Sequence, residues 1–550
     1  MMVTGVNSFG QLWSPKRSRL YVGRDVLATQ AAKPQADPKW RKELLDDVST
    51  ISSEALTKYR NSRMENAATE HQVKLSDGRT VGVRFLGNER DSSAKETGGK
   101  IIEIHVPGEK EPRQFTISED TRISFNEKGE PQVVSGAAAS DGGVLRAAGK
   151  DEILINFSSA KVEAGENSTI INFAGQGGEF VSGQNTTYLG AYDGAKITGG
   201  TGKLTFAGVF DNSEMSVGKG QGDFSGVFTK STITGGILKD TFSGVFNETK
   251  AVGGDGDDSF GGLFIEGSSV DAGAGDDSIT GRFIRSDIEA GEGDDTIGNF
   301  RLKGDGGQEF QFVNSHIDTG AGDNRIRAAA LNSTINFGSG ENRAYGIFQG
   351  SSLNNAEGNA KITALLSNRT DYTTGTGETN MTLATAVHSE VTTGEGKSTV
   401  NLGVGENQHY SETIDGEHRS LEHLKWEYRY REGYAFGQVQ SNQVNMDKGD
   451  AKLNVFTGEN SYSVHARNEE VPTGRVDPLT GLPETETRRV ADVTENLVAN
   501  TSSVRQAVNV RLSPELMFHF QAEESDARSV NRSFARGHKA YSYNLGRVSN

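Results

Sequence analysis

The chain has 550 residues, of which 34% are hydrophobic and 69 are glycine, and it carries a formal net charge of −17. This acidic balance argues against a nucleic-acid partner. The sequence holds no cysteine, which excludes disulfide bonds, thiolate metal sites and a cysteine nucleophile. Few apolar residues and many glycines are typical of a repeat protein with a thin core, rather than of a globular domain with a wide one.

The region before the first repeat divides into two parts. Residues 1–36 show no hydrophobic periodicity and are predicted to be a mobile segment, and they lack the apolar run of a Sec signal peptide. Residues 37–143 are predicted to form a small α+β domain. Asp37-Pro38 opens a helical pattern that reaches about Met64, and Asp77-Gly78 then separates two alternating strands. No run of about eighteen apolar residues occurs, so we expect no transmembrane segment.

A period of about eighteen residues begins near Asp151 and continues to Leu402. Two residue types share this period. The glycine marker recurs at Gly200, Gly218, Gly236, Gly254, Gly273 and Gly291, and the phenylalanine marker at Phe210, Phe228, Phe246, Phe264, Phe283 and Phe300. Two independent markers with one period predict a mostly β chain, in which residues 151–402 form a parallel β-solenoid with one coil per period.

Two longer segments interrupt or follow the repeat. Gly291 and Gly320 are 29 residues apart, so residues 301–311 are predicted to be an insertion that leaves the coil. Residues 403–465 are charged and aromatic. They are predicted to hold an excursion followed by C-terminal coils or a cap, since the ends of a solenoid need covering. Residues 466–550 are predicted to be a C-terminal tail with a candidate export signal.

Residues 251–300 are the most acidic part of the repeat, with twelve Asp or Glu against two Arg. Three near-copies of one phrase occur there: GGDGDDSF at 253–260, AGAGDDSI at 272–279 and AGEGDDTI at 290–297. Glycine allows the backbone to turn sharply through positive φ, and aspartate supplies hard oxygen ligands. These carboxylates repel one another unless cations neutralise them, which points to calcium sites between stacked coils.

The phrase resembles the nonapeptide of the RTX (repeats-in-toxin) proteins, GGxGxDxUx, in which U is a large apolar residue. Position six of that nonapeptide maps to Asp258, Asp277 and Asp295, and position eight maps to Phe260, Ile279 and Ile297. The resemblance implies a right-handed parallel β-roll with hemolysin-type calcium-binding repeats, in which Ca2+ is held between successive turns. It also implies type I secretion.

The resemblance places one ion between Asp258 and Asp277 and a second between Asp277 and Asp295. It places a weaker third ion between Asp295 and Asn324, and Asp240 is a poor further ligand because Ile237 and Leu238 interrupt its glycines. The predicted metal residues are Gly254, Asp255, Gly256, Asp257, Asp258, Gly273, Gly275, Asp276, Asp277, Gly291, Gly293, Asp294, Asp295, Asp323 and Asn324.

The second half of each period departs from the RTX pattern. Ser231, Thr249 and Ser268 occupy the slot in which the family has aspartate. Hydroxyl groups are weak calcium ligands but good hydrogen-bond partners. We therefore expect metal on one face of the solenoid only, with the other face closed by hydroxyl hydrogen bonds and stacked phenylalanines.

The resemblance implies an exported bacterial calcium-binding protein, and we expect it to be secreted or held at the cell surface without a Sec signal. Its acidic coils would loosen in a calcium-poor cytosol and fold in calcium outside. In one interpretation it is a structural or adhesive module for a polysaccharide or a cell-surface ligand. Export by another machine, with the N-terminal region as the signal, is a further alternative.

The second interpretation is a secreted effector or an enzyme that acts on polysaccharide. Charged residues near the insertion would then line a groove: Asp305, Glu309, Arg325, Arg327, Glu341 and Arg343. Exposed charges on coil faces usually serve solubility, so no catalytic residue is assigned. His409, His418 and His423 lack the spacing of a zinc motif and are interpreted as surface residues.

Overall fold

The structure is a computed structural model, and it describes residues 70–90, 96–109, 111–173, 177–300, 310–403, 411–414, 417–420, 439–457, 460–496, 508–512, 517–522, 534–537 and 540–545. Over these residues the chain is nearly all β and forms about 14 parallel coils of roughly 18 residues, which confirms the predicted β-solenoid. The helical segment described is a 3-10 turn, Gly136–Ala138. The helix predicted to begin at Asp37 lies outside the described residues. The chain divides into two compact units, residues 31–287 and residues 1–30 with 288–550.

The first unit opens with a four-stranded antiparallel sheet. Its strands are Glu70–Lys74, Thr80–Arg90, Glu96–His105 and Arg113–Ile117. The predicted Asp77-Gly78 turn is confirmed, because Gly78 has a φ of +88° and Leu75 donates its N–H to Arg79 O at 2.8 Å. Alternate residues such as Val83 and Ile104 are buried, as the period of two predicts.

A hairpin connects this sheet to the solenoid. It consists of Thr121–Phe125 and Pro131–Ser135, and Thr121–Phe125 also pairs antiparallel with Ile153–Asn156. A second, short hairpin joins Ser140–Asp141 to Val144–Arg146, and the latter begins the other solenoid sheet. These antiparallel strands cover the first strands of both solenoid sheets, so the parallel edges of the coils are paired at this end.

Each coil of the first unit adds short parallel strands to two sheets. The first sheet contains Ile153–Asn156, Thr169–Asn172, Thr187–Asp193, Lys203–Phe206, Val209–Asp211, Gln221–Phe224, Val227–Thr229, Thr241–Phe242, Val245–Asn247, Ser259–Phe260, Leu263–Ile265, Ser278–Ile279 and Arg282–Ile284. The second contains Lys161–Glu163, Glu179–Val181, Lys196–Thr198, Glu214–Ser216, Thr232–Thr234, Lys250–Asp255 and Ser269–Ala274. The strand Asp287–Glu289 falls at the division between the two units.

Two columns of aromatic rings fill the core of these coils. In the first column Phe224 stacks on Phe206 and on Phe242, with ring centroids 4.8 and 4.7 Å apart. The second column consists of the predicted marker residues Phe210, Phe228, Phe246, Phe264 and Phe283, with centroid separations of 4.4 to 5.1 Å. The register of about eighteen residues aligns identical side chains, so stacked rings add roughly 0.5–1.5 kcal/mol per pair to the burial of their area.

A row of buried hydroxyl groups forms hydrogen bonds between neighbouring coils. Ser231 Oγ accepts the N–H of Ser213 at 3.1 Å and donates to Thr229 O at 2.8 Å. Thr249 Oγ1 accepts the N–H of Ser231 at 3.3 Å, and Ser268 Oγ accepts the N–H of Thr249 at 3.2 Å. The hydroxyl hydrogen bonds expected on this face are thus confirmed.

Replacement of Ser231 by alanine is expected to destabilise the first unit by about 1–3 kcal/mol, because it leaves the buried Ser213 N–H without the hydroxyl oxygen that accepts it. The free energy of unfolding in urea measures this. The matched control is Thr232→Ala, which removes a neighbouring exposed hydroxyl and is expected to change stability by less than about 0.5 kcal/mol. Equal losses in both variants would contradict a structural role for the hydroxyl row.

The second unit is also built from coils that add strands to two sheets. The first sheet contains Thr296–Ile297, Phe312–Val313, Arg325–Leu331, Glu341–Gln349, Asn359–Asn368, Thr379–Leu383, Ala386–Val387, Lys397–Leu402, Val439–Gln440 and Asp450–Thr457. The second contains His316–Asp318, Thr334–Phe337, Ser352–Asn355, Asp371–Thr374, Glu390–Thr392 and Asn442–Asn445.

At two places in this unit, neighbouring paired strands are separated by many more than eighteen residues, yet the strands remain in register. Thr296 pairs with Arg325, 29 residues on, and Lys397 pairs with Asp450, 53 residues on. Residues 301–309 of the insertion predicted at 301–311 lie outside the described residues, whereas Phe310 is buried and Gln311 donates its N–H to Ala329 O at 2.9 Å, so these two residues belong to the coil. In the second segment Ser411–Ile414 pairs with Glu417–Ser420 as a short hairpin.

The last coil is followed by antiparallel strands. Asn460–Val476 pairs with both Asp450–Thr457 and Pro483–Asn496, and this long hairpin includes the beginning of the segment predicted as a tail from residue 466. The remaining strands are Val508–Leu512, Met517–Ala522, Phe534–Gly537 and Ala540–Leu545.

Candidate metal centre

The acidic loops turn on pairs of glycines in the left-handed region. Positions two and four of the phrase have positive φ in each copy: Gly254 +106° and Gly256 +104°, Gly273 +106° and Gly275 +135°, Gly291 +102° and Gly293 +131°, Gly320 +67° and Gly322 +123°. An L side chain is strained in this conformation, which is why glycine occupies these positions. The sharp turns predicted from the glycines are therefore present.

The aspartates of the phrase separate into two rows. The position-six residues point into the coil: Asp258 and Asp295 are 0% exposed, Asp277 is 2% exposed and Asn324 is 0% exposed. The other predicted acidic ligands are exposed on the loops: Asp255, Asp257, Asp276, Asp294 and Asp323. All of these residues were predicted together as metal residues, whereas only the inner row is buried.

The inner row of the first unit connects each coil to the one before it. Asp258 Oδ1 accepts the N–H of Asp240 at 2.6 Å, and Asp277 Oδ1 accepts the N–H of Asp258 at 2.7 Å. The strands that follow are paired in register, with Ser259 opposite Ser278. The carboxylates of Asp258 and Asp277 therefore stand one above the other.

The second oxygen of Asp258 is the unusual atom of this row. Asp258 Oδ2 is buried and has no hydrogen-bond partner among the described residues. It lies against Gly253, where an added Cβ would collide with both Asp258 Oδ2 and the backbone carbonyl oxygen of Ala272. Gly253 was not in the predicted set, although the doubled glycine of the phrase was the available signal. Two oxygens thus converge at a point that only glycine leaves open.

Burial raises the pKa values of the inner carboxyls. The pKa of Asp258 rises to about 8, chiefly because the group is desolvated, with Asp240 and Asp277 adding repulsion. Desolvation likewise raises the pKa of Asp277 to about 6 and that of Asp240 to about 6. In the chain alone Asp258 therefore keeps its proton near neutral pH, whereas Asp240 and Asp277 are largely ionised there, and a nearby cation would favour the ionised form of all three.

Asp240 is satisfied by the chain itself. Its Oδ1 accepts the N–H of Gly222, and its Oδ2 accepts the N–H of Gly236 at 2.6 Å. Both carboxylate oxygens therefore have backbone donors. This agrees with its prediction as a poor ligand, and the difference from Asp258 lies in the N–H that Gly236 turns inward.

Asn324 takes the position-six place in the second unit. Its Oδ1 accepts the N–H of Asp295 at 2.8 Å, as the aspartates do for their neighbours. Its Nδ2 donates to Thr319 O at 2.9 Å and to Gly322 O at 3.4 Å. The opposite orientation of the amide would set N–H against N–H and C=O against C=O, so the hydrogen bonds fix which atom points where.

The exposed aspartates act as caps between loops. Asp257 Oδ1 accepts the N–H of Asp276 at 3.0 Å. In the second unit Asp294 Oδ1 accepts the N–H of Asp323 at 2.8 Å, and Asp323 Oδ1 accepts the N–H of Glu341 at 2.8 Å. These residues lie in solvent and order the loops, so their structural role does not depend on a metal.

The donors present in the first unit fit a hard cation. Within the described ranges, no three His, Cys, Asp or Glu side chains gather closely enough to hold a metal ion by themselves. An ion near Asp258 and Asp277 would therefore need main-chain oxygens such as Ala272 O. Calcium accepts six to eight oxygen ligands and commonly combines carboxylates with backbone carbonyls. Asp258 and Asp277 with the loop carbonyls are the residues that would hold it.

The residues of the alternative catalytic groove are partly described. Arg325 and Arg343 are exposed and lie in register on neighbouring strands, Arg327 is half-buried, and Glu341 is exposed. Asp305 and Glu309 lie outside the described residues, as do His409 and His423, and His418 lies in the strand Glu417–Ser420.

Fold and loops together define a β-solenoid repeat protein with a buried row of aspartates. No protein-family model, no curated protein and no solved structure matches the chain. Among the described residues, no helix combines the length and the apolar character needed to cross a membrane.

Proposed function

We propose that the chain is an exported calcium-binding β-solenoid whose acidic coils complete their folding when calcium neutralises the buried aspartates. The observation that carries this proposal is Asp258 Oδ2, a buried oxygen without a hydrogen-bond partner among the described residues. An unpaired charge in a low-dielectric interior is costly, so this atom needs a proton or a cation. The resemblance of the loops to the RTX nonapeptide and the all-oxygen donor set both support calcium as that cation.

Calcium would supply two positive charges to a row on which Lys239 acts from the preceding loop, and this lysine lowers the pKa values of Asp258 and Asp277 less than burial raises them. Asp258 and Asp277 would bind it, the glycine turns would orient the loop carbonyls, and the surrounding core would exclude water. Binding to the folded state alone stabilises it by about 2.7 kcal/mol per site when calcium exceeds its dissociation constant a hundredfold. Because solenoid coils contact mainly their neighbours, calcium binding stabilises the acidic coils more than the coils farther away.

This dependence supports export in a loosened state followed by folding outside the cell, where calcium is abundant. The same logic supports a secreted or surface location, with the solenoid serving as a structural or adhesive module. Solenoids present extended surfaces for binding, which suits a polysaccharide or a cell-surface ligand.

Calorimetric titration of the full chain with calcium, read beside circular dichroism, tests the proposal. We expect the chain to bind calcium and to gain β signal. Asp277→Ala should lose most of both, because its carboxylate belongs to the buried row. The control is Asp271→Ala, which removes the same charge from the outer face of the strand Ser269–Ala274. Absence of calcium binding at millimolar concentration, or equal ion counts in the two variants, would overturn the proposal.

A further inference from the structure

We propose that side chains of the second unit take the place of calcium in its own loops, so that ion binding stops at Asn324. This inference rests on the proposed function, because it asks where along the solenoid the ions end. It predicts one part of the chain that needs calcium and another that carries its own hydrogen-bond donors. Three kinds of donor in the second unit support it.

The first is the amide of Asn324. At Asp258 the second side-chain oxygen is a buried acceptor without a donor among the described residues. At Asn324 the equivalent atom is Nδ2, and it donates to the loop carbonyls of Thr319 and Gly322. One change of side chain thus replaces an acceptor that needs a proton or a cation with a donor that contacts loop carbonyls directly. With those carbonyls engaged, the loop offers fewer oxygens to an ion.

The next two coils repeat this solution with other amides. Asn342 is 1% exposed and donates from Nδ2 to Gly338 O at 3.0 Å. Asn355 is also 1% exposed and donates to Gly358 O at 2.7 Å. In each case a buried amide points at a carbonyl of the loop that precedes the inner strand. The carbonyl that accepts differs from coil to coil, and Asn342 Oδ1 and Asn355 Oδ1 are themselves buried without a hydrogen-bond partner among the described residues. These amides therefore supply donors to the loop carbonyls but do not satisfy every buried polar atom.

The third donor is a guanidinium from a distant strand. Arg489 is 7% exposed, and it comes from Pro483–Asn496 to the loop just before Asp450–Thr457. It donates to Met446 O at 3.0 Å, to Lys448 O at 2.8 Å and to Gly449 O. Three carbonyls of one loop therefore converge on a single fixed cation. Residues 446–449 directly precede the strand Asp450–Thr457, and residues 254–257 precede Ser259–Phe260 in the same way. The two loops therefore occupy comparable positions in their coils.

Asn324→Asp tests the inference directly, because it restores the carboxylate that the phrase has at Asp258. We expect the variant to bind one more calcium ion than the wild type and to depend more on calcium for its stability. Its control is Asn359→Asp, which adds the same charge at the exposed first residue of the strand Asn359–Asn368, whose Oδ1 accepts the N–H of Glu378 at 2.8 Å. The control is expected to bind the wild-type number of ions, counted by calorimetry and by metal analysis after desalting.

Hydrogen exchange of the wild type gives a second measurement that needs no variant. With calcium replacing chelator, amides of residues 254–258 and 273–277 should exchange more slowly, while those of residues 320–324 and 338–342 should not change. Equal responses of all four loops would overturn the inference, as would a folded Asn324→Asp with the wild-type ion count. In both cases calcium binding by the wild type would leave the proposed function standing. If the wild-type chain bound no calcium, both the proposed function and this inference would be overturned.

Discussion

Replacing Asp258 with asparagine is expected to stabilise the calcium-free chain and to remove its largest response to calcium. The amide keeps the Oδ1 atom that accepts the N–H of Asp240, and it replaces the buried Oδ2 with a donor, as Asn324 does in the second unit. Satisfying a buried polar group in this way is worth about 1–3 kcal/mol. The loss of one calcium site should lower the stabilisation by calcium by about 2–3 kcal/mol at a hundredfold excess over the dissociation constant.

Urea unfolding in chelator and in millimolar calcium measures both changes. Asp271→Asn is the matched control, because it removes the same charge from a half-exposed side chain in Ser269–Ala274 and should keep the wild-type response. Asp258→Ala distinguishes the effect of the amide from the effect of losing the charge, because alanine supplies no acceptor for the N–H of Asp240. In chelator the Asp258→Ala variant should therefore be less stable than the Asp258→Asn variant. An Asp258→Asn variant with the full calcium response would show that Asp258 does not bind the ion.

Raising the pH from 5 to 8 is expected to destabilise the calcium-free chain. The pKa of Asp258 is raised to about 8 by burial, and the pKa values of Asp240 and Asp277 are raised to about 6. A carboxyl whose pKa is higher in the folded state than in the unfolded state holds its proton longer when folded. Its contribution is complete below about pH 4 and is lost as the pH rises through the folded pKa, first near 6 and then near 8.

Calcium should reverse this trend, because it binds the ionised carboxylates and releases their protons. The measurement is the urea midpoint between pH 5 and 8, in chelator and in millimolar calcium. Hydrogen bonds with Arg79 lower the pKa of the exposed Asp77, so this carboxyl titrates below the window. Asp258→Asn should flatten the part of the profile between pH 6 and 8. A calcium-free stability that rises over this range would contradict the burial of ionisable aspartates.

Much of the architecture followed from the period alone. Phe210, Phe228 and Phe246 recur at eighteen-residue steps, and a solenoid coil of that length places them directly over one another, as the stacked rings are. The hydroxyl row was predictable for the same reason, since Ser231 and Thr249 occupy equal places in neighbouring coils. Regular repetition converts a spacing in sequence into a contact in space.

The site was predictable only in outline. The glycine turns and the position-six residues could be named, but the exposed caps Asp257 and Asp294 were grouped with the buried Asp258. The importance of Gly253 was missed because it depends on the approach of Ala272 O from the following coil. Donor and acceptor directions depend on rotamers, and a residue type alone does not specify them.

The sequence by itself determined the coil length, the phenylalanine columns and the coils in which acidic residues accumulate, because those features repeat locally and need no knowledge of distant contacts. The tertiary structure decided which oxygens lack a donor and which loops carry their own. Arg489 contacts carbonyls at residues 446–449, some forty positions earlier in the chain, through the fold of a long hairpin. Such contacts arise from the path of the whole backbone, so no local pattern of residues encodes them.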